Sequence, residues 1–198
     1  IALALKGLAY EYVPVHLVKE GGQQLQDAYM AINPTALVPT LVDGSVTIAQ
    51  SLAIMEYLEE VHPQPALLPE SPGQRAWVRS IAQSIACDIH PLNNLRVLKY
   101  LQRELGIDDE KKNAWYRHWV EQGLLAIERM LSDSALTGRF CCADTPGLAD
   151  ACLVPQVANA RRFDCDLSSM PTVVRIDAAC CALPAFLAAA PANQPDAQ

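Results

Sequence analysis

Apolar and polar positions follow one rhythm up to about Pro69 and another after it. In the first stretch, short β-like runs alternate with short helical ones. The opening IALALKG reads as the last turns of a helix closed by Gly7. Glu11–Leu17 (EYVPVHL) reads as a strand, and Gly21-Gly22 breaks the chain after it. Gln24–Ala31 reads as a short helical piece. Pro39–Val42 and Ser45–Ile48 are apolar runs joined by Asp43-Gly44, a pair that suits a hairpin turn. Ser51–Val61 (SLAIMEYLEEV) has helical period, with Ile54, Met55, Leu58 and Val61 on one face. Ser51 is its natural N-cap, and His62-Pro63 ends it. The order is helix, strand, helix, hairpin, helix: an α/β unit lacking one strand at its front.

Pro63, Pro65, Pro69 and Pro72 mark a linker. Beyond it the pattern is helical. Arg75 to Leu105 forms a long stretch in which His90-Pro91 predicts a bend. Asp108–Leu131 is a second long helix, and Leu148–Ala160 is apolar enough to be a buried one. Thr172–Cys181 and Ala185–Ala190 follow, and the tail after Pro191 reads as disordered. These textures divide the chain into an α/β domain over 1–69 and an all-α domain over 70–198.

The chain has 198 residues, 51% of them hydrophobic and 19% charged, which suffices for a packed core. A net charge of -7 argues against a general nucleic-acid partner. No apolar run reaches membrane-spanning length, and no secretory leader is visible, so no membrane partner is expected. The seven cysteines form no C-x-x-C pair and no His stands at zinc-finger spacing, so no metal site is expected. Their odd number and adjacent pairs fit free thiols in a reducing, cytoplasmic setting. Cys87 and Cys152 lie on apolar helices and read as core. Trp77, Trp115 and Trp119 read as packing residues. A first helix that begins at Ile1 without a cap suggests that further residues precede it.

Two features could carry chemistry. Val38-Pro39 stands at the mouth of a strand. A cis bond there would leave the Val38 N–H and C=O free to pair with an extended peptide, whereas a trans proline would simply open an edge strand. Ten residues further along, Gln50-Ser51 opens the next helix. Its free N–H groups and positive end suit a carboxylate, although a simple N-cap is the commoner use of serine. The hairpin joins the two features.

The motifs IALALKG, GGQQ, NPTALVPTL, QSLAIMEYLEE, DIHPLNNLRVL and LADACLVPQVANARRF run from Ile1 to Phe163. In combination they make the chain resemble the zeta class of glutathione transferases, which includes maleylacetoacetate isomerase. The resemblance implies a thioredoxin-like domain followed by an all-helical one, with glutathione as cofactor. Val38 and Pro39 would meet its cysteinyl backbone, Gln50 and Ser51 its γ-glutamyl end, and Gln24 would line the same site. Asp150 would serve folding through a Ser/Thr-x-x-Asp capping box, but Gly147 stands where Thr is expected, a departure that predicts a weaker helix start. The family's serine-rich catalytic motif would lie before Ile1, so no catalytic residue is assigned within the chain.

The implied reaction is isomerisation of a small dicarboxylate keto acid in aromatic catabolism, maleylacetoacetate or maleylpyruvate. Glutathione thiolate adds to the cis enedioate and leaves after rotation. Substrate carboxylates call for cations, and the candidates are Arg162, Arg96 and His90, with Asn94 beside them. Arg162 would otherwise be a surface or ion-paired arginine, and His90 a kink-capping histidine. Arg161 would face elsewhere. The family also implies a homodimer. A non-catalytic binding module on the same fold is the alternative, and the reading frame upstream of Ile1 separates the two.

Overall fold

The computed structural model describes residues 1–197. The first part carries α1 (Ala2–Leu5), 3-10 turns at Lys19–Gly21 and Gln23–Leu25, α2 (Asp27–Met30), β1 (Thr40–Asp43), β2 (Val46–Ala49) and α3 (Ser51–Val61). The remainder is helical: α4 (Pro72–Gln83), a π-helical turn (Ser84–Ile89), α5 (His90–Asn93), α6 (Leu95–Arg103), α7 (Asp109–Ser132), α8 (Leu148–Arg162), α9 (Pro171–Cys181) and α10 (Pro184–Ala188). The core lies where α4, α7, α8 and α9 meet. Ile81, Val120, Leu124, Ile127, Leu153, Val157, Val173 and Ile176 are fully enclosed there. Their helical spacing along α7, α8 and α9 builds an inward stripe on each. No described helix is long and apolar enough to cross a membrane.

β1 and β2 form an antiparallel hairpin with Thr40 opposite Ala49 and Asp43 opposite Val46. The turn residues are therefore Gly44 and Ser45, one place later than the Asp-Gly reading, with Gly44 at φ +57°. Glu11–Leu17 does not form the expected strand. No described segment runs beside it to complete a ladder, and Pro14 withholds a donor. Its end folds back locally instead, with the Gln23 N–H donating to His16 O and the His16 N–H to Gln23 Oε1, both at 2.8 Å.

Three helix details also differ from expectation. Ser51 is the first helical residue of α3, and the cap position is Gln50, at φ +74°. On α3, Val61 is exposed while Glu59 is buried. The break in the long helical stretch falls at Asn94 (φ -65°, ψ 143°) rather than at Pro91. Pro91 sits in the first turn of α5, where a helix needs no internal donor, and the irregularity is displaced upstream into the π turn. That turn packs closely on α7: a Cβ on Gly123 would come within 2.4 Å of Ile89 Cγ1.

Glu59 is buried because Lys6 is. The Lys6 ammonium, with its side chain fully enclosed, donates to Glu59 Oε2 at 2.8 Å, His62 O at 2.7 Å and Pro65 O at 2.9 Å. Glu59 also accepts from the Leu67 N–H at 2.8 Å and the Leu68 N–H at 3.1 Å. This one pair ties α1, the end of α3 and the proline-rich linker together. A second tie crosses the linker, where Arg79 of α4 grips Glu56 of α3 through Nε at 2.6 Å and Nη2 at 2.8 Å. That bond holds the Glu56 carboxyl below the usual carboxylate range.

The linker then meets α8. The Leu148 N–H donates to Leu67 O at 2.9 Å. A Cβ on Gly147 would lie 2.5 Å from the same oxygen, so this position excludes the threonine the family pattern calls for. Glycine has no side chain to return a bond, and only the Asp150 half of the capping box is present. Asp150, 1% exposed, accepts from the Gly147 N–H and, across the turn, from the Cys141 N–H, both at 2.9 Å. The described part of the tail, through residue 197, is folded back on the chain rather than disordered: Pro191–Asn193 is a 3-10 turn, and Tyr12 donates to Asp196 Oδ1 at 3.0 Å.

Lys6→Met should cost about 3–5 kcal/mol of stability, because Glu59 stays buried without its cation. Urea unfolding measures this, and a loss below about 1 kcal/mol would show that the pair does not hold the linker. Gly147→Thr should lower stability by about 1–3 kcal/mol although it adds a cap, because the clash with Leu67 O outweighs the capping bond. A raised melting temperature would contradict this.

Candidate functional site

The loop from Asn33 to Thr40 is built around one buried amide. Asn33, 2% exposed, donates through Nδ2 to Leu37 O at 2.7 Å and Thr40 Oγ1 at 3.1 Å. Its Oδ1 accepts from the Thr35 hydroxyl at 2.7 Å and the Thr35 N–H at 3.1 Å. The Tyr29 hydroxyl on α2 adds a bond to Leu37 O at 2.7 Å and lies 2.9 Å from Thr40 Oγ1. The network consumes the Leu37 carbonyl and leaves the next residue alone. Val38 is 42% exposed, and its N–H and C=O have no hydrogen-bond partner among the described residues. The Val38-Pro39 bond is cis, and so is Gln64-Pro65 in the linker.

The opposite strand leads to α3. The pairing of Thr40 with Ala49 puts Pro39 and Gln50 one residue beyond the ladder, and Val38 and Ser51 two beyond. All four therefore meet at one end of the hairpin. The N-terminus of α3 has no side-chain cap, and Gln50 and Ser51 are both exposed there. Its first N–H groups have no acceptor among the described residues, at the positive end of an eleven-residue helix. Gln24 lies in the 3-10 turn before α2. It is 8% exposed, and among the described residues its Oε1 has no hydrogen-bond partner and no bond joins it to the other four.

The cationic candidates sit in the helical part, in two places. His90 opens α5 and lies 3.4 Å from Asn94 across one turn, through Nε2 and Nδ2. Desolvation lowers its pKa below the ordinary histidine value. The Asn94 carbonyl is already committed as the N-cap of α6, accepting from the Arg96 N–H at 3.1 Å. Arg96 is exposed. Arg162 ends α8, exposed and without a hydrogen bond or ion pair among the described residues. Arg161 points the other way, and its Nη1 is 2.5 Å from the buried Asp177 of α9. Two surface concavities of about 490 and 460 Å³ lie elsewhere, between α6 and α7 and between the linker and the start of α8. None of the candidate residues lines either.

Residues 1–61 match the family model for the glutathione S-transferase N-terminal domain. A protein of Vibrio cholerae named probable maleylacetoacetate isomerase is 51% identical over 197 residues, covering 100% of this chain and 91% of its own. The holo structure of a maleyl pyruvate isomerase, described as a bacterial zeta-class glutathione S-transferase, superposes with a TM-score of 0.96. It is 49% identical and covers 100% of this chain and 92% of its own. A maleylacetoacetate isomerase from Methylobacterium extorquens AM1, solved with malonate and glutathione, gives a TM-score of 0.95 at 42% identity, with 100% of this chain and 92% of its own covered. The chain is a zeta-class glutathione transferase.

In this zeta-class chain the cysteines and tryptophans are distributed as follows. Cys141 and Cys180 are the buried thiols, whereas Cys87, read as core, lies exposed on the π turn; Cys152 is half-buried. Desolvation raises the Cys152 thiol to about 12 and that of Cys165 to about 11, and it raises Cys141, Cys142, Cys180 and Cys181 as well. Trp77 and Trp115 pack against the core, and the Trp115 indole N–H donates to Leu92 O at 2.8 Å. Asn33, Tyr29 and Thr40, the scaffold of the cis-proline loop, were not singled out by the sequence. Asn33-Pro34-Thr35 is itself a turn signal that could have pointed to Asn33, whereas Tyr29 and Thr40 join it only through the folded structure.

Proposed function

We propose that the protein is a glutathione-dependent cis–trans isomerase of a maleyl keto acid, with glutathione held at the open end of the hairpin. The observation that carries the site is the convergence of an unpaired Val38 backbone and an uncapped α3 N-terminus at that one end. The residues fit the tripeptide. The Val38 N–H and C=O pair with an extended cysteinyl backbone, beside Pro39, as one more strand would. The α3 N–H groups, the Ser51 hydroxyl and the Gln50 amide hold a carboxylate. Gln24, with a buried carbonyl oxygen still to be satisfied, supplies an acceptor for an ammonium or amide on the same ligand.

Bound glutathione supplies the thiolate that adds to the cis double bond and leaves after rotation. The chain's own part is recognition and charge. Arg162, without an acidic partner among the described residues, binds a substrate carboxylate bidentately, with Arg96 and His90 as further cations and Asn94 as a donor. The working unit is a homodimer in the cytoplasm, in keeping with the class. A relative named for maleyl pyruvate and one named for maleylacetoacetate match nearly equally, so both substrates belong in the assay.

Ser51→Ala should weaken glutathione binding about tenfold, as loss of a hydrogen bond to a carboxylate does. Calorimetry measures it, and an unchanged affinity would remove the α3 terminus from the site. Arg162→Ala should raise KM for the maleyl keto acid by about 10- to 100-fold while KM for glutathione holds. Equal changes in both would place Arg162 outside the substrate pocket.

A further inference from the structure

Arg162 occupies a position that ought to move. It is the last residue of α8, and a terminal helical turn frays readily. Its neighbours are nevertheless fixed on both sides. Arg161 is tied to the enclosed Asp177 of α9. Phe163 lies flat on Tyr116 of α7, with ring centroids 3.6 Å apart and planes within 13°. The chain then turns sharply: Asp164 is at φ +54°, and the Cys165 N–H returns to Ala160 O at 3.0 Å.

Tyr116 is a rigid base for that stack. It is 2% exposed, one turn before the fully enclosed Val120 on the most buried face of α7. The Arg162 guanidinium is close enough for its charge to act on the Tyr116 hydroxyl. Burial raises that hydroxyl to about 12, so Tyr116 is neutral throughout the usual assay range and is neither acid nor base there. What it offers is a flat, immobile surface.

We propose that Tyr116 is a positioning residue for the substrate-binding arginine: its stack on Phe163 locks the end of α8 and so sets where Arg162 can reach. This rests on the reading of Arg162 as the group that binds a substrate carboxylate. One arginine of the pair is spent on the fold and the other is held by its backbone alone, leaving the guanidinium free for a ligand. A substrate-binding arginine displaced by as little as an ångström loses binding and rate.

The test is a double-mutant cycle on the intact protein with glutathione present. Tyr116→Leu and Phe163→Leu remove the same stack from opposite sides. Each should raise KM for the maleyl keto acid, and Kd for malonate measured by calorimetry, by about 2- to 10-fold, the worth of one aromatic pair. Glutathione affinity should hold. Tyr116→Phe keeps the ring and should stay within about twofold of the parent. In an Arg162→Ala background, Tyr116→Leu should add nothing further to either constant. If the two effects multiply instead, Tyr116 acts independently of Arg162 and the proposal is wrong. Malonate binding that ignores Arg162→Ala overturns the underlying reading, a different failure from a multiplicative cycle. Should Tyr116→Leu not fold, the half-buried Phe163→Leu carries the same comparison, and its unchanged KM would overturn the proposal.

Discussion

The buried bond between Lys6 and Glu59 is the constraint around which the first half of the chain is arranged. Removing both charges from water costs several kcal/mol, so the pair is tolerable only with every remaining donor and acceptor engaged. The structure meets that condition. The ammonium has three oxygen partners, and the carboxylate takes two linker N–H groups besides. The consequence is geometric. The linker cannot drift from α3 without stripping the carboxylate, and α1 cannot drift without stripping the ammonium. Because Leu67 also bonds to the first residue of α8, the same constraint reaches the helical core.

Within that frame the site follows a repeated division of labour between neighbours. The Leu37 carbonyl is consumed by Asn33 and Tyr29, and the Val38 backbone next to it is left free. Arg161 is consumed by Asp177, and Arg162 is left free. The proposed binding groups are set on backbone whose adjoining residue is immobilised, an arrangement that would give a ligand a prearranged surface. Asn94 shows the boundary of this scheme, since its carbonyl caps α6 and only its amide nitrogen remains available.

Much of this architecture was legible in residue order. The helices α3, α7, α8 and α9 announced themselves through apolar spacing, and the hairpin through its glycine. What escaped was decided by partners distant in sequence. Glu59 could be read as buried only by knowing that Lys6 lies opposite, 53 residues away. Val61 kept helical period yet faces water, because periodicity locates a face but not its edges. Glu11–Leu17 had strand composition, but a strand is a relation between two segments rather than a property of one. Pro91 was read as the point of bending, while neighbouring turns absorbed its geometry. Val38, Pro39, Gln50 and Ser51 lie together at the hairpin's open end because turn, ladder and helix start are all local. The loop's scaffold was missed because Asn33 works through its own turn and through Thr40 and Tyr29 at once.

The thiols bear on how such a protein survives its own chemistry. A maleyl keto acid is an electrophile, and any thiolate in reach is a potential victim. A raised pKa means a vanishing thiolate fraction near neutrality, and a thiol that remains protonated is a poor nucleophile. Cys152 and Cys165, at about 12 and 11, lie far on that protonated side, with Cys141, Cys142, Cys180 and Cys181 displaced the same way. Desolvation thus serves as chemoselectivity. For these six thiols the environment disfavours the thiolate that an electrophile would capture, whereas Cys87 stands exposed on the π turn, the place where alkylation by a maleyl keto acid would be looked for first.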